Sequence, residues 1–426
     1  MPRASASTDE TSAPGSGYRW VISAVLFVGV TAAFFDRISI SVLFTNTDFQ
    51  NAMGTGFNPS LLGLLMTTFL FAYGASSILL SFVGDVFGPR RCLLVGTITW
   101  GIAMAFMGSA GSFAFMLGCR IFLGVAEGPQ FSISAKLTRR WFAPSEYGRA
   151  TALWMIGSPL GSMIGFPLSF YLVDTYGWRG SFYGFAAINL LLILPMFFFL
   201  LRDQPAHGPV AATTQDEKRP FKASVAALIG DWRFWMLTLS TSGSLVYLWG
   251  LNSWLPSYLI RERHFDPRES SLFAALPFLL TIFGEMIGGY VADRTGRYAL
   301  VSAVALAMAG ALMYFVATSD SAYVAVALIS ASTFFWGACT STKNALGVKV
   351  LPPGALSTGV GLYNGIANIA GAFAPVAMGA LIGTTGNYQA GFLVIVGSAI
   401  LGSATMVPLI VSDNMARARH VAPQQA

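Results

Sequence analysis

Six ionisable side chains lie inside apolar runs: Asp36, Arg37, Arg120, Glu127, Glu285 and Lys343. A charge at the centre of a bilayer costs at least about 2.5–3.5 kcal/mol, so each of the six calls for a use or a partner. Glu127 stands two helical turns beyond Arg120, which puts both on one helix face. Burial disfavours the charged form of a carboxylate, so Glu127 is suited to taking up and releasing a proton. Arg37 follows Asp36 and points about 100° away from it. A guanidinium left free in a cavity is a fork that donates two parallel bonds to a carboxylate. The chemistry on offer is proton exchange and the binding of an organic anion. The plainer alternative is a structural ion network of Asp36, Arg37, Arg120 and Glu127.

Other chemistries lack their residues. His207, His264 and His420 all fall outside the apolar runs, and Cys92, Cys119 and Cys339 are far apart. Neither a metal site, a disulfide nor a nucleotide loop is expected. The cysteines read as small apolar residues. No enzyme activity and no cofactor are expected.

The elements that must hold these charges are membrane helices. The chain has 426 residues, 54% hydrophobic and 10% charged, with a net charge of +6. Soluble domains carry about 25% charged residues, and this chain has too few to cover soluble surfaces. A helix crossing the bilayer needs about 20 mostly apolar residues. Twelve runs qualify, at about 20–44, 60–83, 92–110, 112–135, 148–172, 180–201, 234–260, 270–292, 299–318, 322–346, 356–383 and 388–411. They are spans 1 to 12 below, and the fold class is all-α. Residues 1–18 are rich in Ser, Ala, Thr, Pro and Gly and read as a disordered tail rather than a signal peptide.

Charge sets the orientation. Outside the spans, every Lys and Arg except Arg179, Arg261, Arg263 and Arg268 falls on the side of the termini and the even-to-odd loops. The positive-inside rule therefore makes both termini cytoplasmic. The basic balance reports topology and contact with anionic lipid heads, not nucleic-acid binding.

The longest polar stretch, 202–232, separates six spans, 19–201, from six more, 233–412, and residues 413–426 form a second tail. The halves echo each other. Gly84-Asp85-Val86-Phe87-Gly88-Pro89-Arg90-Arg91 follows span 2, and Ala292-Asp293-Arg294-Thr295-Gly296-Arg297 follows span 8. Pro144 and Pro167 bracket Gly157, Gly161 and Gly165; Pro353 and Pro375 bracket Gly361, Gly365 and Gly371. Small residues at such spacing let helices pack closely in lipid. A duplicated six-helix bundle follows.

Six plus six spans, a central cytoplasmic loop and a D-x-x-G-basic loop after spans 2 and 8 resemble the major facilitator superfamily over about residues 18–412. Three segments resemble its anion:cation symporter branch, similar to bacterial sugar-acid transporters of the galactonate type. They are Phe35-Asp36-Arg37, Arg120-Ile121-Phe122-Leu123-Gly124-Val125-Ala126-Glu127 and Trp254-Leu255-Pro256-Ser257-Tyr258-Leu259. The resemblance implies proton-driven import of a small organic carboxylate by alternating access, in a monomer of the bacterial inner membrane. An anion antiporter or exporter on the same fold is the alternative. Asp36 and Glu127 would carry protons, Arg37 would clamp the substrate, and Arg120 would pair with a carboxylate.

With spans 1 and 4 adjacent, as the family fold implies, Asp36 lies about 12 Å and Arg120 about 10 Å from the outer surface, and the two can pair. Tyr73 and Asn364 match substrate-contacting positions of the family, although both residue types also serve as interhelical hydrogen-bond glue. Tyr247, Trp249 and Asn252 are further candidates. Asp85 and Arg90, repeated as Asp293 and Arg297, would lock the cytoplasmic side when the cavity opens outward; the alternative is tight turns alone.

The chain departs from the galactonate pattern at Ser158, where those members carry Gln, and at Asn344, where they carry Trp. Glu285 and Lys343 replace uncharged residues. Lys343 then has three readings: a second cation for a dicarboxylate, an ion partner of Glu285, or a side chain that snorkels to the cytoplasmic surface.

Overall fold

The structure is a computed structural model that describes residues 17–80, 82–143, 146–205, 221–351 and 356–421; for Asp85, Phe221, Lys222, Leu356, Ser357 and residues 415–421 it describes the backbone alone. Most of the first tail, much of the central loop, Ser81, Pro144, Pro353 and His207 lie outside the described residues. Among those described, every regular element is helical. A chain in lipid has no water to satisfy its backbone, so the helix closes its own hydrogen bonds.

All twelve expected runs fall on helix. Span 1 is Tyr18–Leu43, span 2 Pro59–Leu79 and span 3 Pro89–Gly108. Span 4 is broken into Phe113–Glu127 and Gln130–Trp141, on either side of Gly128 and Pro129. Proline lacks the N–H that would continue the ladder. Spans 5 and 6 occupy one apolar stretch, Tyr147–Leu200, which folds back at Gly177 with φ 70° and ψ 174°. A left-handed φ favours glycine there. The second half holds Trp232–Ser257, Pro267–Thr295, Tyr298–Thr318, Ala322–Val350, Leu356–Thr385 and Tyr388–Ala404. Side chains of Asn58, Ser112, Asp266, Ser321 and Asn387 cap the starts of spans 2, 4, 8, 10 and 12. Each cap accepts a hydrogen bond from an otherwise orphaned N–H.

Among the described residues, nine stretches are long and apolar enough to cross a membrane, against the twelve expected. The difference has physical causes. Spans 5 and 6 count as one, span 4 is divided by its break, and span 7 carries Thr238, Ser240, Thr241, Ser242, Ser244, Asn252 and Ser253.

Within the first half, span 1 packs on span 5 and span 2 on span 4; within the second, span 8 packs on span 10 and span 9 on spans 10 and 12. The halves meet where span 2 lies along span 11, span 5 along span 8 and span 1 against span 7. Gly157, Gly161 and Gly165 face span 1, Gly365 faces Ile78 of span 2, and Gly371 faces Trp249 of span 7, as their spacing suggested. Gly361 differs: it looks into open space.

At one end of the bundle the two halves touch. The rings of Phe44 and Trp254 lie 5.4 Å apart, and Trp254 Nε1 donates to the Pro375 carbonyl at 2.9 Å. At the same end the Arg261 guanidinium sits 3.6 Å from the centre of the Phe57 ring.

Candidate functional site

The charged residues of spans 1 and 4 come together in the buried interior. Gly124 lets span 4 approach the backbone of span 2 at Phe69 and Tyr73, and Gly128 lies against Ser76 and Ser77. This close approach brings Arg120 and Glu127 to span 1. Arg37 Nε donates to Glu127 Oε2 at 2.6 Å, with the two side chains 2% and 0% exposed. Arg37 also donates to Gln130 Oε1 at 3.3 Å, and Gln130 Nε2 donates to the Gly29 carbonyl at 3.2 Å. The guanidinium lies over three rings, at 4.7 Å from Phe34, 4.6 Å from Tyr73 and 5.7 Å from Phe131. Planar, weakly hydrated guanidinium is the cation best suited to such a site. Glu127 Oε1 is buried and makes no hydrogen bond among the described residues.

Two expected partnerships are corrected. Arg37 is not free but paired with Glu127. Arg120 does not bond the Asp36 carboxylate; it donates to the carbonyls of Leu65 at 3.1 Å, Asp36 at 3.4 Å and Arg37 at 3.5 Å, and lies over the Phe69 ring. The Asp36 carboxylate instead accepts from Asn189 Nδ2 of span 6 at 2.7 Å. The reason is helix phase: consecutive residues diverge by about 100°, so only one of Asp36 and Arg37 can face span 4, and it is Arg37.

Lys343 and Glu285 form no ion pair among the described residues. Gly337 of span 10 lies against the Glu285 backbone, and Lys343 is six residues farther along, about 9 Å down the helix. Lys343 does not snorkel either, being 2% exposed. One and two turns above it, Cys339 meets Ser302 of span 9, and Trp336 Nε1 donates to the Ser244 carbonyl of span 7 at 2.8 Å. Its stripe thus faces the interior of the second bundle.

Across the seam, the Phe34 ring stacks on Trp249 of span 7 at 6.2 Å. Trp249 Nε1 donates to Asn368 Oδ1 at 3.2 Å, and Asn368 Nδ2 donates to Asn364 Oδ1 at 3.0 Å. Tyr73, Arg37, Phe34, Trp249, Asn368 and Asn364 therefore form one continuous aromatic and polar path through both halves. Asn252, buried one turn beyond Trp249, has both amide atoms unbonded among the described residues. Tyr247 is bound to Ser332 within the second bundle, and Asn344 is half-buried with no hydrogen bond among the described residues.

Among the described residues, Arg90 bonds to the end of span 6 and the residues just after it, and Asp293 to the start of span 9. The Arg90 N–H donates to Asp203 Oδ1 at 2.8 Å and its guanidinium to the Phe198 carbonyl at 2.6 Å. Asp293 Oδ1 accepts from the Tyr298 hydroxyl at 2.8 Å, and Arg297 is exposed. The side chain of Asp85 lies outside the described residues.

Gln130, Asn189 and Asn368 were not singled out from the sequence. A signal existed for each: Gln130 directly follows the Pro129 break, Asn189 is a lone amide in an apolar run, and Asn368 follows Asn364 by one turn.

The chain matches the family described as "Major Facilitator Superfamily" over residues 26–375. It is 30% identical to the "Probable sulfoacetate transporter SauU" of Cupriavidus necator, over 93% of this chain and 95% of that protein. It is 26% identical to the "Probable L-galactonate transporter" of Escherichia coli, over 87% and 84%. It is 24% identical to the "Hexuronate transporter" of Bacillus subtilis, over 90% and 93%. Among solved structures, a D-xylose–proton symporter superposes with a TM-score of 0.73 at 13% identity, covering 92% of this chain and 97% of that one. A bacterial homolog of the human lysosomal transporter Spinster gives 0.70 at 18% identity, covering 93% and 94%. With this helical architecture and a match over most of its length, the chain belongs to the Major Facilitator Superfamily of multi-pass membrane transporters, and the three relatives named above are described as transporters of organic anions.

Proposed function

We propose that the protein imports a small organic anion by proton symport through alternating access, in a bacterial inner membrane with both termini cytoplasmic. The observation that carries this reading is the buried Arg37–Glu127 pair, set among Tyr73, Gln130 and the aromatic path to Trp249 and Asn368. Sulfoacetate, galactonate and hexuronate, the compounds in the relatives' names, define the class: compact anions that a guanidinium fork can hold.

Coupling follows from charge balance. While Glu127 is ionised it compensates Arg37. A proton on Glu127 removes that compensation and leaves Arg37 to an anion; an anion on Arg37 in turn favours the proton on Glu127. The two ligands thus assist each other by the same free energy in both directions. Asp36 is the second proton carrier in this scheme. Tyr73, Asn364 and Arg120 shape the pocket, and Lys343 and Asn344 stay candidate contacts from the second half. On the positive-inside orientation, the contact of Phe44 with Trp254 lies outside, and rocking of the two bundles opens it. Asp85, Arg90, Asp293 and Arg297 serve as the opposite lock. Proton, anion and bilayer are the partners of a monomer.

The test is uptake into vesicles containing the purified protein. Labelled sulfoacetate, galactonate, glucuronate and succinate are each supplied with and without an inward proton gradient. Gradient-driven accumulation of at least one anion is expected. Movement that ignores the gradient would mark an exchanger, and failure of every organic anion would end the proposal.

A further inference from the structure

Span 6 contains one polar side chain in the run 186–200, and it is Asn189. The helix there is not regular. Residues Ile188–Ile193 form a π-helical turn just before Pro195. Proline has no N–H to give to the preceding turn, which frees a carbonyl and allows the wider turn. Such turns recur at functional sites.

The amide of Asn189 is the donor that holds the Asp36 carboxylate, at 2.7 Å, with both residues buried. The charged groups close enough to act on Asp36 are Glu127 and Arg120 of span 4 and Arg37 on its own helix. None of them bonds its carboxylate: Arg120 takes the Asp36 carbonyl, and Arg37 takes Glu127. The other end of the amide, Asn189 Oδ1, is buried with no hydrogen bond among the described residues. A buried carbonyl oxygen without a donor is costly. A protonated Asp36 would be such a donor, because a carboxylic acid carries an O–H where the carboxylate carries none.

We infer that Asn189 is the positioning residue for the Asp36 proton site: its N–H holds the ionised carboxylate, and a rotation of the amide brings its free Oδ1 to the protonated acid. One side chain then serves both charge states, and the π turn aims it. Because the contact joins span 6 to span 1, loss or gain of the proton is felt at the packing of these two spans. The inference rests on the reading of Asp36 as a proton carrier.

The experiment compares proton-driven uptake with substrate counterflow in vesicles for Asp36→Asn, Asn189→Leu and Asn189→Gln, using an anion that the wild type accumulates. Asn189→Leu is expected to lose at least about tenfold in proton-driven uptake, as fits the loss of one charge-assisted hydrogen bond. Counterflow should fall far less, and the pH profile of uptake should change shape. Asn189→Gln, which keeps both ends of the amide, should restore part of the coupling. Normal driven uptake by Asn189→Leu, or equal loss of uptake and counterflow, overturns the role of Asn189. Should Asn189→Leu not reach the membrane, Asn189→Ser is read against Asn189→Gln by the same two rates, and equal behaviour of these two also overturns it. Asp36→Asn separates the levels: if it keeps driven uptake, the proton role of Asp36 itself fails.

Discussion

Glu127→Gln removes the negative charge opposite Arg37 while keeping shape and one acceptor. The pair is buried and short, with Arg37 Nε 2.6 Å from Glu127 Oε2. Deleting one partner of a buried pair costs about 3–5 kcal/mol, because the other charge stays buried alone. Two features reduce the cost. The Gln carbonyl can still accept from Nε, and the guanidinium keeps Gln130 at 3.3 Å and the rings of Phe34 and Tyr73. A desolvated cation–π contact is worth up to about 2 kcal/mol. Those contacts exist in both forms, so they cushion the lone charge rather than replace the ion. The expected net loss is about 2 kcal/mol.

For a unit the size of one six-helix half, that lowers Tm by about 4–8 °C. The assay is thermal unfolding of purified protein in detergent, for the wild type, Glu127→Gln, Arg37→Gln and the double variant. The double variant should lose less than the two single losses added together, since it leaves no lone charge. An organic anion should raise the Tm of Glu127→Gln more than that of the wild type, because its Arg37 has no carboxylate. A Tm within about 1 °C of wild type for Glu127→Gln, together with strictly additive losses, would refute the charge-compensation argument.

Other perturbations probe the surroundings. Arg120→Lys should lower Tm by several degrees and impair transport, because an ammonium cannot span the three carbonyls of Leu65, Asp36 and Arg37 as the guanidinium does. Size-exclusion and uptake measurements check it. Gly284→Ala should reduce the yield of folded protein, since its new carbon meets the Phe334 backbone between spans 8 and 10; Gly361→Ala faces open space and should be neutral or gain up to about 1 kcal/mol. Lys343→Met relieves a buried cation that has no ion partner among the described residues, so Tm should rise. A fall in uptake confined to dianions would instead give Lys343 the second anionic group of the substrate.

The sequence by itself determined the architecture and the inventory of charge. Scarcity of charge marked the membrane runs, and the few charges inside them marked spans 1 and 4. Repeated Asp and Gly positions marked the duplication. These are local or periodic properties, readable along one dimension because each membrane helix must satisfy its own backbone. Pairing is different. Whether Arg37 or Asp36 faces Glu127 depends on the rotation of span 1 about its axis, which packing of Gly157, Gly161 and Gly165 against it sets. Whether Lys343 meets Glu285 depends on the offset of span 10 along span 8, which Gly284, Gly288 and Gly337 set. Asn189 gained its partner only because a π turn and a neighbouring helix brought it to Asp36. Residue types and depths were in the sequence. Which charge met which was decided by helix phase and close approach, which only the tertiary packing supplies.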